Sequence, residues 1–158
     1  MSDEVSIVVE RGCSAVAGAI VDSWIATAKR AGKVTHVEKS YYVDTTVLAV
    51  HREMLKRARL ALQNAMIAHA AQYDQSGTYP IKVKASRNIH LHIGFYVDRG
   101  VEYMASVHNH GILLALTSGK TAEEAESKMR QHLKELHEQQ LAERDVWLKF
   151  LTCEVTYE

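Results

Sequence analysis

The chain has 158 residues, 47% of them hydrophobic and 24% charged, with Lys plus Arg and Asp plus Glu at 19 each. That length and balance describe one soluble domain, residues 1–158, with enough apolar surface for a core that needs no staples. A formal charge of zero excludes bulk attraction to nucleic acid or to an anionic membrane, so only a local basic patch could supply either.

In chain order, Val5 to Glu10 reads as a first strand. A helix is expected from Ser14 to about Gly32, because Val16, Ile20, Val21, Trp24, Ile25 and Ala28 recur at helical spacing. Val34 to Val43 is rich in β-branched and aromatic residues and reads as a strand. Asp44 then caps a long helix to about Gln72, with the stripe Val47, His51, Met54, Leu55, Ala58, Leu62, Ala65, Met66 and His69. Gln75 to Pro80 is the clear loop, and Ile81 to Ala85 a short strand. Two alternating strands follow, then a strand over Ile112–Thr117. Thr121 with Glu124 three residues on makes a capping box, which fixes the start of a last helix running to about Glu143. Its narrow stripe is Ala125, Met129, Leu133 and Leu136. Val146 to Tyr157 closes the chain as a strand. The fold class is therefore α+β, a mainly antiparallel sheet with three helices in the order β-α-β-α-β-β-β-α-β. No internal repeat or linker divides it.

The stretch 89–110 carries the most chemistry. Ile89, Leu91, Ile93, Phe95 and Val97 alternate with His90, His92 and Tyr96; beyond Asp98-Arg99-Gly100, Val101, Tyr103, Ala105 and Val107 alternate with Glu102, Met104, Ser106 and His108. This period of two marks paired, half-buried strands. A three-residue loop at 98–100 pairs 95 with 103 and 91 with 107, so His90 lies opposite His108. A loop two residues longer sets His92 opposite His108 instead. His90, His92 and His108 then present three imidazoles, the donor set of a zinc or other divalent-metal site, with Glu102 as a base and Ser106 beside it. The bland alternative is the solvated face of an antiparallel sheet, and no cofactor is required by the sequence. On the second expected helix Arg52, Lys56 and Arg59 share a face at i, i+4 and i+7, a phosphate-facing stripe or simply the wet side. Cys13 and Cys153 match no metal spacing, which points to a reducing compartment and free, buried thiols, with one disulfide left open. The acidic start has no signal-peptide character and no apolar run reaches the ~18 residues of a membrane span, so a cytoplasmic protein with no membrane partner is expected.

Four family resemblances touch this region. Ile89-His-Leu-His-Ile93 resembles the metal-holding strand of HUH endonucleases, although no Tyr-x-x-x-Lys helix follows. His108-Asn-His110 with Ser118 is similar to the His-x-His…Ser of JAMM-type metalloproteases, but Thr121 stands where that family has its aspartate. Gly119 to Ala125 resembles the close of a HicB-like or double-stranded-RNA-binding fold, with Glu123 and Glu124 in place of the paired lysines. Ile93 to Gly111, after the long helix, resembles the strand-turn-strand of phage neck and tail-completion proteins, and Leu148 to Tyr157 the final strand of tail terminators. That last resemblance implies a non-enzymatic virion component that forms a homo-oligomer. The expectation is thus an assembly or binding protein without a catalytic set, against a metal-dependent hydrolase or nuclease and a nucleic-acid-binding module.

Overall fold

The computed structural model describes residues 3–72, 79–83, 87–96 and 102–158. The elements are β1 (Val5–Val16), β2 (Ala19–Arg30), β3 (Lys33–Ser40), α1 (Val43–Gln72), β4 (Tyr79–Val83), β5 (Arg87–Tyr96), β6 (Glu102–Asn109), β7 (Ile112–Gly119), α2 (Ala122–Lys149) and β8 (Val155–Tyr157). The class is α+β and rich in antiparallel pairing, but among the described residues there are two helices rather than three, and the order differs from the expected one. They fall into two compact units, Met1–Ala61 with Ala142–Glu158, and Leu62–Leu141. The boundary lies inside both helices.

The helix expected over 14–32 is instead the β1–β2 hairpin, paired from Val5↔Arg30 to Val16↔Ala19. Its turn explains the difference. Ala17 and Gly18 both have positive φ, 50° and 82°, as the two-residue turn that matches strand twist requires. Ala31–Gly32 (51°, 78°) and His110–Gly111 (50°, 76°) repeat the device between β2 and β3 and between β6 and β7. With both flanks held as strands, the helical spacing of 16–28 is coincidental. The strand expected over 34–43 stops at Ser40, and α1 begins at Val43. At the other end, α2 continues to Lys149, so the closing strand is only Val155–Tyr157. Tyr79 and Pro80 belong to β4, where proline is tolerated because the strand is an edge. The loop residues 98–100 lie outside the described residues.

In the first unit the sheet runs β3-β2-β1-β8, antiparallel except for β8, which lies parallel to β1. Ile7, Val9, Ala26 and Ala28 form its core face against Val50 and Met54 of α1 and Phe150 beyond α2, with Trp24 and Trp147 packed around them. In the second unit the sheet runs β4-β5-β6-β7, wholly antiparallel. There Ile89, Leu91, Ala105, Val107 and Ala115 meet Ile67, Ala68 and Ala71 of α1 and Ala125, Met129 and Leu133 of α2. Each large side chain so buried is worth roughly 1.5–3 kcal/mol. Part of the expected α1 stripe is displaced: Met66 and His69 are exposed, and Ala61, Ala68 and Ala71 are buried in their stead. Alanines let the helix approach the sheet more closely than the bulkier residues favoured by pattern alone.

The units repeat one plan. β3 and β7 cover 33–40 and 112–119, and α1 and α2 start at 43 and 122, so a constant offset of 79 residues relates them. The same offset carries the bulge between Ala28 and Lys29 onto that between Val107 and His108. It also carries buried Val50, Met54, Ile67 and Ala71 onto buried Met129, Leu133, Val146 and Phe150. This internal duplication escapes the sequence because identities such as Ala26/Ala105, Gly32/Gly111 and Leu62/Leu141 are sparse.

The capping box at the start of α2 forms as expected. The Glu124 backbone N–H donates to Thr121 Oγ1 at 3.1 Å, and the Lys120 N–H to Glu124 Oε2 at 3.0 Å. That backbone hydrogen bond, followed by the one from Lys128, holds the Glu124 carboxyl below the usual glutamate range. Its stabilisation is therefore complete above the unfolded-state value and is lost as pH falls through the lower folded value. Denaturant titration of Glu124→Ala should show a loss at neutral pH that narrows from about pH 4 downward. At the β2–β3 turn, Gly32→Val should cost about 1–3 kcal/mol through its positive φ, while Gly32→Asn, which tolerates that region, should cost less.

Candidate functional site

Strands β5 and β6 pair as the short-loop register requires: Phe95↔Tyr103, Leu91↔Val107 and His90↔His108. Ile89 and Leu91 of β5 face the core and Ile93 packs against it, which leaves the intervening positions on the other side of the sheet. Here His92 lies across from Ser106 and Gly94 from Met104. A depression of about 220 Å³ opens among His92, Gly94, Met104, Ser106, His108, Leu113 and Leu116. His92 is exposed and His108 half-buried; the His108 ring Nε2 is 2.9 Å from Ser106 Oγ. The bulge at Leu114 sets His108 opposite Leu113, so β7 supplies aliphatic rather than polar neighbours.

The structure thus places His92, Ser106 and His108 around one hollow and His90 directly across the ladder from His108; the His90 side chain lies outside the described residues. Among the described residues no group of three or more His, Cys, Asp or Glu is placed to hold a metal ion. Glu102 sits at the far end of β6, opposite Tyr96. Six residues separate it from His108, roughly 20 Å along a strand, too far to serve as a base beside that imidazole.

Other histidines are tied into the fold. His36 Nε2 is 2.8 Å from Glu38 Oε1, and His137 Nδ1 is 2.9 Å from the Ala65 carbonyl oxygen with its ring 4.6 Å from that of His69. On α1, Arg52, Lys56 and Arg59 are all exposed, as the spacing implies, and pair with no carboxylate among the described residues. Arg57 beside them is structural, bonded to Glu53 at 3.2 Å and lying over the Trp147 ring at 5.2 Å.

One cavity had no sequence signal. In the second unit, α1, α2, β6 and β7 border a half-open hollow of about 240 Å³ lined by Ile67, Ala68, Val107, Leu114, Leu133 and Leu136 together with Asn64, Asn109 and Gln140. Its polar residues come from three separate elements, so no local motif announces it. Asn109 is 8% exposed, and its Oδ1, closed off from the hollow, has no hydrogen-bond partner among the described residues, an arrangement that costs roughly 1–3 kcal/mol.

No protein-family model, curated protein or solved structure matches this chain.

Both thiols are free, but only one is sheltered. Cys13, expected to be buried, is exposed on β1, because the region read as a helix start is the outer part of a hairpin. Cys153 is half-buried, its Sγ 3.4 Å from the Phe150 carbonyl oxygen. Burial pushes its thiol above the ordinary cysteine range, which lowers the thiolate fraction at any given pH. Labelling of the native protein with a thiol reagent near pH 8 should accordingly be biphasic, with Cys13→Ser removing the fast phase and Cys153→Ser the slow one.

Proposed function

We propose that this chain is a non-enzymatic assembly protein that forms a homo-oligomer through the β7 edge. The observation that carries this reading is the chemistry of that edge. β7 reads Ile-Leu-Leu-Ala-Leu-Thr-Ser-Gly, without a charge, and Ile112, Leu113, Leu114 and Leu116 are 45–67% exposed. A free edge presents unpaired N–H and C=O groups to any strand that fits, and proteins ordinarily blunt such edges with charge. The counterpart edge β3 carries Lys33, Glu38 and Lys39, so one half of the duplicated plan is guarded and the other is not. An antiparallel copy of β7 would set aliphatic residues against aliphatic residues with no charge to bury, the self-matching required of an isologous contact. Met104, Leu113 and Leu116, around the histidine hollow, would extend the apolar patch. A virion neck or tail component, the class that 93–111 resembles, would use such a contact to pair two copies, and closing a ring would take a second, heterologous interface.

The second reading is a divalent-metal site, favoured by the His90/His108 cross-strand pair with His92 two residues along. Stoichiometric zinc in tag-free protein, lost in His92→Ala, would replace the assembly reading with it.

Light scattering on the eluting protein should give a discrete oligomer at micromolar concentration. The double variant Leu113→Lys, Leu116→Lys should elute as a monomer with an unchanged circular dichroism spectrum. A strict monomer of the unmodified chain at several hundred micromolar would sink the proposal.

A further inference from the structure

The offset of 79 residues between the two units carries the cavity of the second unit onto a site in the first that is filled. Ala68 corresponds to Trp147, Asn109 to Arg30, Leu136 to Arg57 and Asn64 to Glu143. In the first unit the Trp147 indole occupies the place, with the guanidinium carbons of Arg30 and Arg57 each 5.2 Å from its ring centroid. Arg30 Nη1 also bonds Glu143 Oε1 at 2.6 Å, so ring, cations and carboxylate close the position together. In the second unit the indole is replaced by a methyl group, both cations by uncharged side chains and the carboxylate by an amide. The remaining walls keep their apolar character, Met54 and Val146 corresponding to Leu133 and Ile67.

We infer that the cavity of the second unit is a binding site for a small, uncharged, planar ring compound, seated where the Trp147 indole sits in the first. Size supports it: an aliphatic cavity of about 150 Å³ admits benzene, and about 240 Å³ leaves room for a fused second ring. Charge restricts it, since none of the described residues lining the space is ionisable and an ion would be stripped of water without a counter-charge. Exposed Asn64 and half-buried Gln140 stand at the mouth, where they can engage a polar substituent. The site shares Leu114 with the β7 edge but uses neither Leu113 and Leu116, whose substitution tests the assembly reading, nor the histidine hollow, so the two experiments fail separately.

Indole is the probe, titrated into the full chain and followed by calorimetry and by amide chemical shifts. The expected result is saturable one-to-one binding, with the largest shifts at Ala68, Asn109, Leu133 and Leu136. Indole-3-acetate, which keeps the ring but carries a charge, should bind about tenfold more weakly. Ala68→Trp, which installs the side chain used by the other half, should abolish binding while leaving the melting temperature equal or higher. Absence of saturable indole binding, equal affinity for the two probes in the unmodified protein, or shifts centred elsewhere would each overturn the inference. The probe comparison and the shift map need no substituted protein, so misfolding of a variant would not shelter it.

Discussion

A sheet with one apolar face must have that face covered, and here each cover is assembled from two helices. The sheet of the first unit is closed by Val50 and Met54 near the start of α1 and by Trp147 and Phe150 at the end of α2. The sheet of the second is closed by Ala125, Met129 and Leu133 near the start of α2 and by Ile67, Ala68 and Ala71 at the end of α1. Neither helix could be trimmed to one unit without uncovering the other unit's strands. Helix lengths of 30 and 28 residues, well beyond the usual three turns, follow from this exchange.

Within that arrangement the two halves have diverged where their helix ends meet the strands. The first uses bulk and charge: Trp147, Phe150 and the Arg30–Glu143 pair, whose carboxylate holds the guanidinium charged even more firmly than usual. The second uses small side chains, which leave a hollow beside Asn109. The edges diverge in the same sense, with β3 guarded by lysines and a glutamate and β7 left aliphatic. One scaffold, used twice, thus yields a half whose edge carries charge and a half whose edge is aliphatic and whose helices leave a hollow against the strands.

Much of the second unit is legible in the sequence because its signals are local. Strict alternation over 89–97 and 101–107 gives the β5–β6 register down to the His90/His108 pair, and Thr121 with Glu124 fixes the start of α2. The first unit misleads for physical reasons. β2 is flanked by Ala-Gly turns rather than the Asn-Gly pairs that announce a hairpin, and half-buried residues on both of its faces blur the period of two. Trp147, Leu148, Phe150 and Leu151 read as strand because they are large and apolar, yet the first two end α2 and the others form the turn after it, held there by the core that Phe150 enters. The hollow among Asn64, Asn109 and Gln140 depends on what Ala68 lacks, and an absent side chain leaves no pattern.

The discontinuity of the first unit bears on how the chain matures. Leu62–Leu141 is one uninterrupted segment, whereas the β1–β2–β3 meander lacks Phe150, Trp147 and β8 until the whole of that segment has been made. During synthesis the second unit can consolidate first, while Ile7, Val9, Ala26 and Ala28 remain open to water. Contacts of such long sequence separation are slow to close, so the lysines and glutamate along β3 act in nascent chains as well, keeping a half-made sheet from pairing with its neighbours.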